Sequence, residues 1–217
     1  MTIRIILADD HLIVRDGMRH LLEKETGIVV VGMADNGRMA LQLCRELRPD
    51  VVVMDIAMPE MNGIEATRRL AAEMPGIGVL ILSMHSARRY IVEALAAGAR
   101  GYLLKECVSD ELVRGIRTVA AHETYLSPKV ADQIVKDYMK RLSSDTILPA
   151  AVVLSSRERE ILQLIAEGKN TKEIAFIAGI SGKTVETHRQ QIMKKLNLYS
   201  VAELTRYAIR EGLTPLD

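Results

Sequence analysis

The alternation of apolar and polar positions changes character once along the chain. Through the first 120 or so residues, short apolar or β-branched runs recur at Ile3–Ala8, Ile28–Met33, Val51–Met54, Val79–Leu82 and Gly101–Leu104. Helix-length amphipathic stretches separate them, at 12–25, 37–47, 62–73, 87–97 and 108–121. Strand followed by helix, five times over, predicts an α/β unit built on a doubly wound, five-stranded parallel sheet. The unbroken apolar character of the strands fits a sheet covered on both faces. The stretch 127–142 predicts a further helix, with Ser127 as N-cap and Pro128 in its first turn. The segment SSDTILPAAVV at 143–153 then breaks the periodicity and reads as a linker.

From Leu154 onward the pattern is helical throughout. Ser155 and Glu158 form a capping box for a helix that runs to Ala166 and stops at Gly168. A short helix at 171–178, the turn Gly179-Ile180-Ser181, a longer helix at 182–196 ended by Asn197, and a last helix at 200–211 complete a small four-helix unit. Two helices joined by a short glycine-containing turn predict a helix-turn-helix. The chain therefore divides into 1–122, a connecting stretch with a helix at 123–153, and 154–217.

Composition narrows the functional classes. Nearly half of the 217 residues are hydrophobic, but there is one Phe and no Trp, so the cores are aliphatic. Net charge is +1, with 15 basic and 16 acidic residues in 1–122 and 10 and 8 in 154–217, which excludes a polybasic tail. Cys44 and Cys107 fall inside predicted helices without metal-ligand spacing and read as free thiols of a reducing compartment. No leader-like start and no apolar run near the ~20 residues needed to cross a bilayer point to a cytoplasmic protein without membrane contact.

The candidate chemistry gathers at strand ends. Asp9 and Asp10 close the first strand, Asp55 the third, Ser83 the fourth and Lys105 the fifth. In an open parallel sheet all five fall at the carboxyl edge, where ligands bind. Three neighbouring carboxylates repel one another, and a hard divalent cation relieves this; magnesium suits few carboxylates, retained waters and a phosphate. Lys105 offers a point charge to phosphate oxygens and Ser83 a hydroxyl donor. The set suits an acyl phosphate formed on Asp55.

These residues lie in LADDH (7–11), MDIAMPEMNGIEA (54–66), LILSMH (80–85) and GYLLK (101–105), and over 1–122 the chain resembles a response-regulator receiver domain of flavodoxin-like fold. The resemblance implies that Asp55 is the phosphoacceptor of a sensor histidine kinase. It implies Mg2+ held by the Asp10 and Asp55 carboxylates and the Ala57 backbone carbonyl, with Asp9 acting largely through water and Lys105 on the phosphoryl oxygens. Ser83 and Tyr102 would carry the switch, the aromatic ring following the hydroxyl inward. A haloacid-dehalogenase-type phosphatase is the enzymatic rival. It needs a second Asp two positions after the nucleophile, where this chain has Ala57, so at most slow autodephosphorylation is expected.

The helix at 182–196 is locally basic, with four basic residues and one acidic over 181–196. Val185, Ile192 and Leu196 form its inward stripe, while Lys183, Glu186, Thr187, Gln190 and Lys194 project away. Such a face on the second helix of the motif suits the major groove. The segments LSSREREILQLIAEGKNTKEIA and ISGKTVETHRQQIMKKLNLYSVAEL resemble the LuxR/NarL-type DNA-binding domain. Thr171 departs from the Asn usual in that family and is expected to cap the short helix; Ala178 departs from the usual Leu. Carried over, Glu186, Thr187 and Gln190 face base edges, while Lys172, Lys183, Thr184, His188, Arg189 and Lys194 contact phosphates. Val201, Leu204 and Ala208 on the last helix would pair two DNA-bound domains. The expectation is a two-component transcription regulator, switched at Asp55 and bound to double-stranded operator DNA as a homodimer, with RNA polymerase admitted as a further partner. The competing reading is a regulator of the same fold controlled by a partner or ligand independently of phosphorylation.

Overall fold

The computed structural model describes residues 2–106, 110–142 and 154–214. The expected linker at 143–153, Cys107 and the start of the helix expected from 108 lie outside the described residues.

The N-terminal unit alternates β1 (Ile3–Ala8), α1 (Leu12–Leu22), β2 (Ile28–Ala34), α2 (Gly37–Leu47), β3 (Val51–Met54), α3 (Gly63–Glu73), β4 (Gly78–Ser83), α4 (Arg88–Ala96), β5 (Gly101–Leu104) and α5 (Asp110–Ala120). All five expected strands are present and pair in parallel. A sixth, β6 (Tyr125–Leu126), only two residues long, extends the edge beside β5 and gives the order β2-β1-β3-β4-β5-β6. Two residues have no periodicity to read, which is why this strand left no signal in the pattern. One core lies on each face of the sheet, one around Ile6, Val52, Ile81 and Tyr102, the other around Ile5, Leu7, Val53, Leu80 and Ile116.

Local chemistry sets the helix starts. Asn36 and Asn62 cap α2 and α3, their side chains accepting from the Met39 and Glu65 amides. α6 (Pro128–Leu142) follows β6. The Ser127 carbonyl accepts from Ala131, but its buried hydroxyl finds no hydrogen-bond partner, so the expected side-chain cap is not made.

The C-terminal unit comprises α7 (Ser156–Ala166), α8 (Thr171–Ala178), α9 (Gly182–Leu196) and α10 (Val201–Arg210) around a core of Leu154, Ile161, Leu164, Ile174, Val185, Ile192, Leu204 and Ala208. Ser155 and Glu158 form the expected capping box. At α8 the cap is Asn170 with Glu173, one position before the expected Thr171. Thr171 is left free to donate from its hydroxyl to Glu186 (2.9 Å). Gly179, in the left-handed region at φ 65°, turns the chain from α8 into α9.

The two units meet along the β3–α3 loop and the starts of α2, α3 and α4. Gln163 of α7 accepts from the Asn62 amide (3.0 Å) and donates to the Met58 carbonyl (3.0 Å). The Glu160 carboxylate, with no exposed side-chain surface, is ringed by Arg38, Arg69 (2.5 Å) and Arg157 (2.7 Å). Beyond α10, Gly212 sits against Tyr90 so closely that a Cβ would enter the ring, and Arg89 donates to the Arg210 carbonyl.

Candidate functional site

Parallel strands deliver their carboxyl ends to one edge, and the register places the key groups in adjacent rows. Ala8 is level with Met54, Met54 with Ile81, and Ser83 with Leu104. β1 has β2 on one side and β3 on the other, so the crevice at the reversal of strand order opens above Asp9 and Asp55. Asp55 follows β3 directly, its amide bonded to the Ala8 carbonyl (2.8 Å). Gly63 approaches the Asp55 carbonyl so closely that a Cβ would collide with it, which lets α3 start against the site.

The pocket is acidic and largely buried. Asp9 is 1% and Asp55 4% exposed. Lys105 Nζ reaches Asp9 Oδ2 at 2.6 Å and Asp55 Oδ2 at 2.7 Å, and the Ile56 amide donates to Asp55 Oδ1 (2.7 Å). Burial pushes the Asp55 carboxyl up to about 6; Lys105 opposes this and Asp9 adds to it. Burial alone would lower the Lys105 ammonium, but the two carboxylates outweigh it and raise it. One ligand atom each from Asp9, Asp10, His11 and Asp55 fall within 4.8 Å of one another. One ammonium for three carboxylates leaves negative charge uncompensated, and hard oxygen donors at this spacing fit a divalent cation.

Ser83 and Tyr102 are both fully buried, so the ring expected to follow the hydroxyl inward already lies inside. Ser83 Oγ accepts the His85 amide (3.1 Å), while the Tyr102 hydroxyl donates to the His85 carbonyl (2.6 Å). The His85 ring stacks on Tyr90 with centroids 4.3 Å apart. Ala57 sits half-buried in the β3–α3 loop.

On the helix-turn-helix, Lys172, Lys183, Glu186, Thr187, Gln190 and Lys194 are exposed, and Thr184, His188 and Arg189 half-buried. α9 thus presents its outer face to solvent, and the contacts with the N-terminal unit are made by α7 and the end of α10 instead. Thr184 is engaged with Ser181 Oγ (2.8 Å) and Arg189 lies 3.9 Å from Glu186. Lys195, on the flank of α9, pairs with Glu158 (2.7 Å).

The three residues expected to pair two copies do not share a surface. Val201 is 43% exposed, but Leu204 and Ala208 are fully buried in the core of their own unit. A single apolar stripe on α10 had to serve either the core or a partner, and the four-helix unit is too small to do without it. Leu204→Ala is therefore expected to destabilise the C-terminal unit by about 2–5 kcal/mol, read as an earlier unfolding transition in urea. A variant with a wild-type transition would return Leu204 to the surface.

Sequence reading missed His11 in the pocket and the cluster of Arg38, Arg69, Arg157 and Glu160 between the units. His11 adjoins the acidic pair, and that adjacency was the available signal. Glu160 carries none, since a glutamate on an amphipathic helix reads as solvated.

A parallel sheet with this acidic edge, joined to a helix-turn-helix unit, defines a receiver coupled to a DNA-binding module. The family model for the response regulator receiver domain matches residues 5–117, and that for bacterial regulatory proteins of the luxR family matches 152–208. The transcriptional regulatory protein MctR of Rhizobium johnstonii is 41% identical over 211 residues, covering 97% of this chain and 95% of that protein. A LuxR-family two-component response regulator from an Aurantimonas species is 40% identical, with TM-score 0.62, over 64% of this chain and 99% of that one. The response regulator ChrA of a heme-sensing two-component system is 35% identical, with TM-score 0.53, over 98% of each chain. The chain belongs to the LuxR-type response regulators. It is a DNA-binding transcription regulator of the two-component class, and that family is regulatory rather than enzymatic. Among the described residues no helix is long and apolar enough to cross a membrane.

Proposed function

We propose that this regulator is switched by phosphorylation of Asp55 by a cognate sensor histidine kinase in the cytoplasm, and that it then binds paired operator half-sites as a homodimer. The reading places the receiver at 1–122, the connection at 123–153 and the effector at 154–217. The observation that carries it is the Lys105 ammonium held between Asp9 and Asp55 at 2.6 and 2.7 Å in a crevice where burial has raised the Asp55 carboxyl.

In the transfer, the N–P bond of a kinase phosphohistidine breaks as a bond forms from an Asp55 carboxylate oxygen to phosphorus. Asp9, Asp10, Asp55 and the Ala57 carbonyl are the groups that would hold Mg2+. When bound, that ion offsets charge on the phosphoryl oxygens. Lys105 exchanges its Asp55 contact for a phosphoryl oxygen. Ser83 Oγ turns from the His85 amide to the phosphoryl group, while Tyr102, buried and bonded to the His85 carbonyl, holds that loop in place. At the other end, Gln190, Glu186 and Thr187 read base edges, and Lys172, Lys183, Thr184, His188, Arg189 and Lys194 position the helix on phosphates. Val201 is the member of the expected pairing set that is available to a second copy, and RNA polymerase would be met by the DNA-bound dimer.

The test is operator binding by the full chain with and without acetyl phosphate and magnesium, followed by intact mass and gel shift together. Tighter binding tracking the mass gain is expected. Binding indifferent to the modified fraction would sink the reading. On the DNA side, Lys194→Ala is expected to weaken matched and mismatched sequences alike and lower the salt slope by about one unit. Gln190→Ala is expected to cost about 1–3 kcal/mol on the preferred base alone. Identical behaviour of the two variants would overturn this sorting of the helix face.

A further inference from the structure

The acidic pocket contains a fourth group of a different kind. His11 occupies the N-cap position of α1, with φ −84° and ψ 106°, yet its side chain makes no cap hydrogen bond. Ser, Thr, Asp and Asn serve there because a short side-chain oxygen can reach back to the second or third amide. An imidazole in that place does little for the helix, and this one is turned to the carboxylates. Its Nδ1 lies 2.8 Å from Asp10 Oδ1 and 3.3 Å from Asp9 Oδ1, and its own amide donates to Asp9 Oδ1 (3.0 Å). The side chain is 67% exposed, at the mouth of the crevice, where it can close over an ion.

The spacing suits direct coordination. Around an octahedral cation with bonds of about 2.1 Å, neighbouring donors stand about 3.0 Å apart and opposite donors about 4.2 Å. The two His11 distances have the neighbour spacing already. The four atoms all lie within 4.8 Å of one another, so a pair at that full separation would close by about 0.6 Å to stand opposite across the ion. Deeper in, Asp9 Oδ2 is buried without a directed hydrogen bond, its ion-pair contact being the Lys105 ammonium at 2.6 Å.

We propose that His11 Nδ1 is a ligand of the pocket's cation, making it a mixed oxygen–nitrogen site that favours first-row transition ions of the iron-to-zinc class over magnesium. This rests on the cation-site reading above. The reason is donor chemistry: carboxylates and waters suit magnesium and manganese, whereas imidazole adds affinity for nickel and zinc and little for magnesium. His11 would then decide which ion the pocket prefers, while the carboxylates decide that it takes one.

The test uses the full chain, stripped with chelator, titrated calorimetrically with magnesium and with nickel, and examined by X-ray absorption when nickel-loaded. His11→Ala and His11→Gln are compared with wild type; the glutamine keeps a hydrogen-bond donor for Asp10 but removes the imidazole. The nickel-to-magnesium affinity ratio is expected to fall at least tenfold in both variants, with loss of the imidazole scattering signature. A wild-type ratio in His11→Gln would reduce His11 to a hydrogen-bonded neighbour and overturn the proposal. So would imidazole scattering that persists in His11→Ala, because the nickel would then sit on another histidine. Failure of magnesium to bind wild type, with nickel binding still dependent on His11, would instead remove the magnesium reading and leave His11 as a ligand.

Discussion

Asp55→Asn is expected to abolish the mass gain of one phosphoryl group on incubation with acetyl phosphate and magnesium, and at the same time to make the receiver more stable at neutral pH. The first effect follows from position. Asp55 is the acidic residue that ends β3 against both Asp9 and Lys105, and Asn offers no carboxylate oxygen to phosphorus. The second follows from burial. The Asp55 carboxyl rises from 3.8 to about 6, a balance that already includes the Lys105 contact. A carboxyl raised on folding binds its proton more tightly in the native state, so wild-type stability falls as pH rises from about 4 through about 6 and stays lower above that. A shift of about two units corresponds to on the order of 2–3 kcal/mol. The variant should lack that decline, so the difference between the two proteins is largest at pH 7–8 and vanishes near pH 3. Urea unfolding across pH, without metal, gives the comparison. Equal phosphorylation of the variant would remove Asp55 as acceptor, and parallel pH profiles would refute the account of its charge.

The second large effect concerns the contact between the units. Glu160→Ala is expected to open it. Arg38, Arg69 and Arg157 converge on a carboxylate that has no exposed surface, and removing it leaves three guanidinium groups facing one another. Burial already depresses Arg38, and Arg69 and Arg157 add to this. Breaking a buried pair by deleting one partner costs about 3–5 kcal/mol, more than the hydrogen bonds that Gln163 accepts from Asn62 and donates to Met58 would restore at ~1 kcal/mol each. The chain can escape the cost by separating the units. The expected readout is a larger radius of gyration in solution and faster proteolysis between 142 and 154. Glu160→Gln, which keeps two polar atoms for the arginines, should open less. An unchanged radius in Glu160→Ala would show that packing of Gly212 on Tyr90 and the Gln163 bonds hold the units without the arginine cluster.

The placement of that contact bears on control. It is made by the loop that carries Asp55 into α3, by Arg38 of α2 and Arg69 of α3, by the start of α4 beyond Ser83 and His85, and by α7 and the end of α10. α9 is left facing solvent. Gln163 meets the Met58 carbonyl three residues beyond Asp55, and His85, whose amide donates to Ser83 Oγ, stacks on the Tyr90 ring against which Gly212 sits.

The sequence by itself determined the elements and the edge where chemistry gathers. Period-2 and period-3.6 patterns, the capping box of Ser155 and Glu158, and the turn glycines Gly168 and Gly179 act over a few residues, so a linear reading captures them. Strand ends are equally local, and once the sheet is parallel Asp9, Asp55, Ser83 and Lys105 must share one edge. The tertiary structure alone decided how ambiguous surfaces were spent. The stripe of α10 could face a second copy or its own core, and Leu204 and Ala208 went to the core because a unit this small has few other apolar groups to bury. Glu160 was indistinguishable from a solvated glutamate until Arg38 and Arg69, more than ninety residues away, closed around it. His11 was one more polar residue after two aspartates until the start of α1 turned its ring into the pocket. Each of these depends on which distant group arrives opposite, and the free energy that selects the partner belongs to the pair, not to either position in the chain.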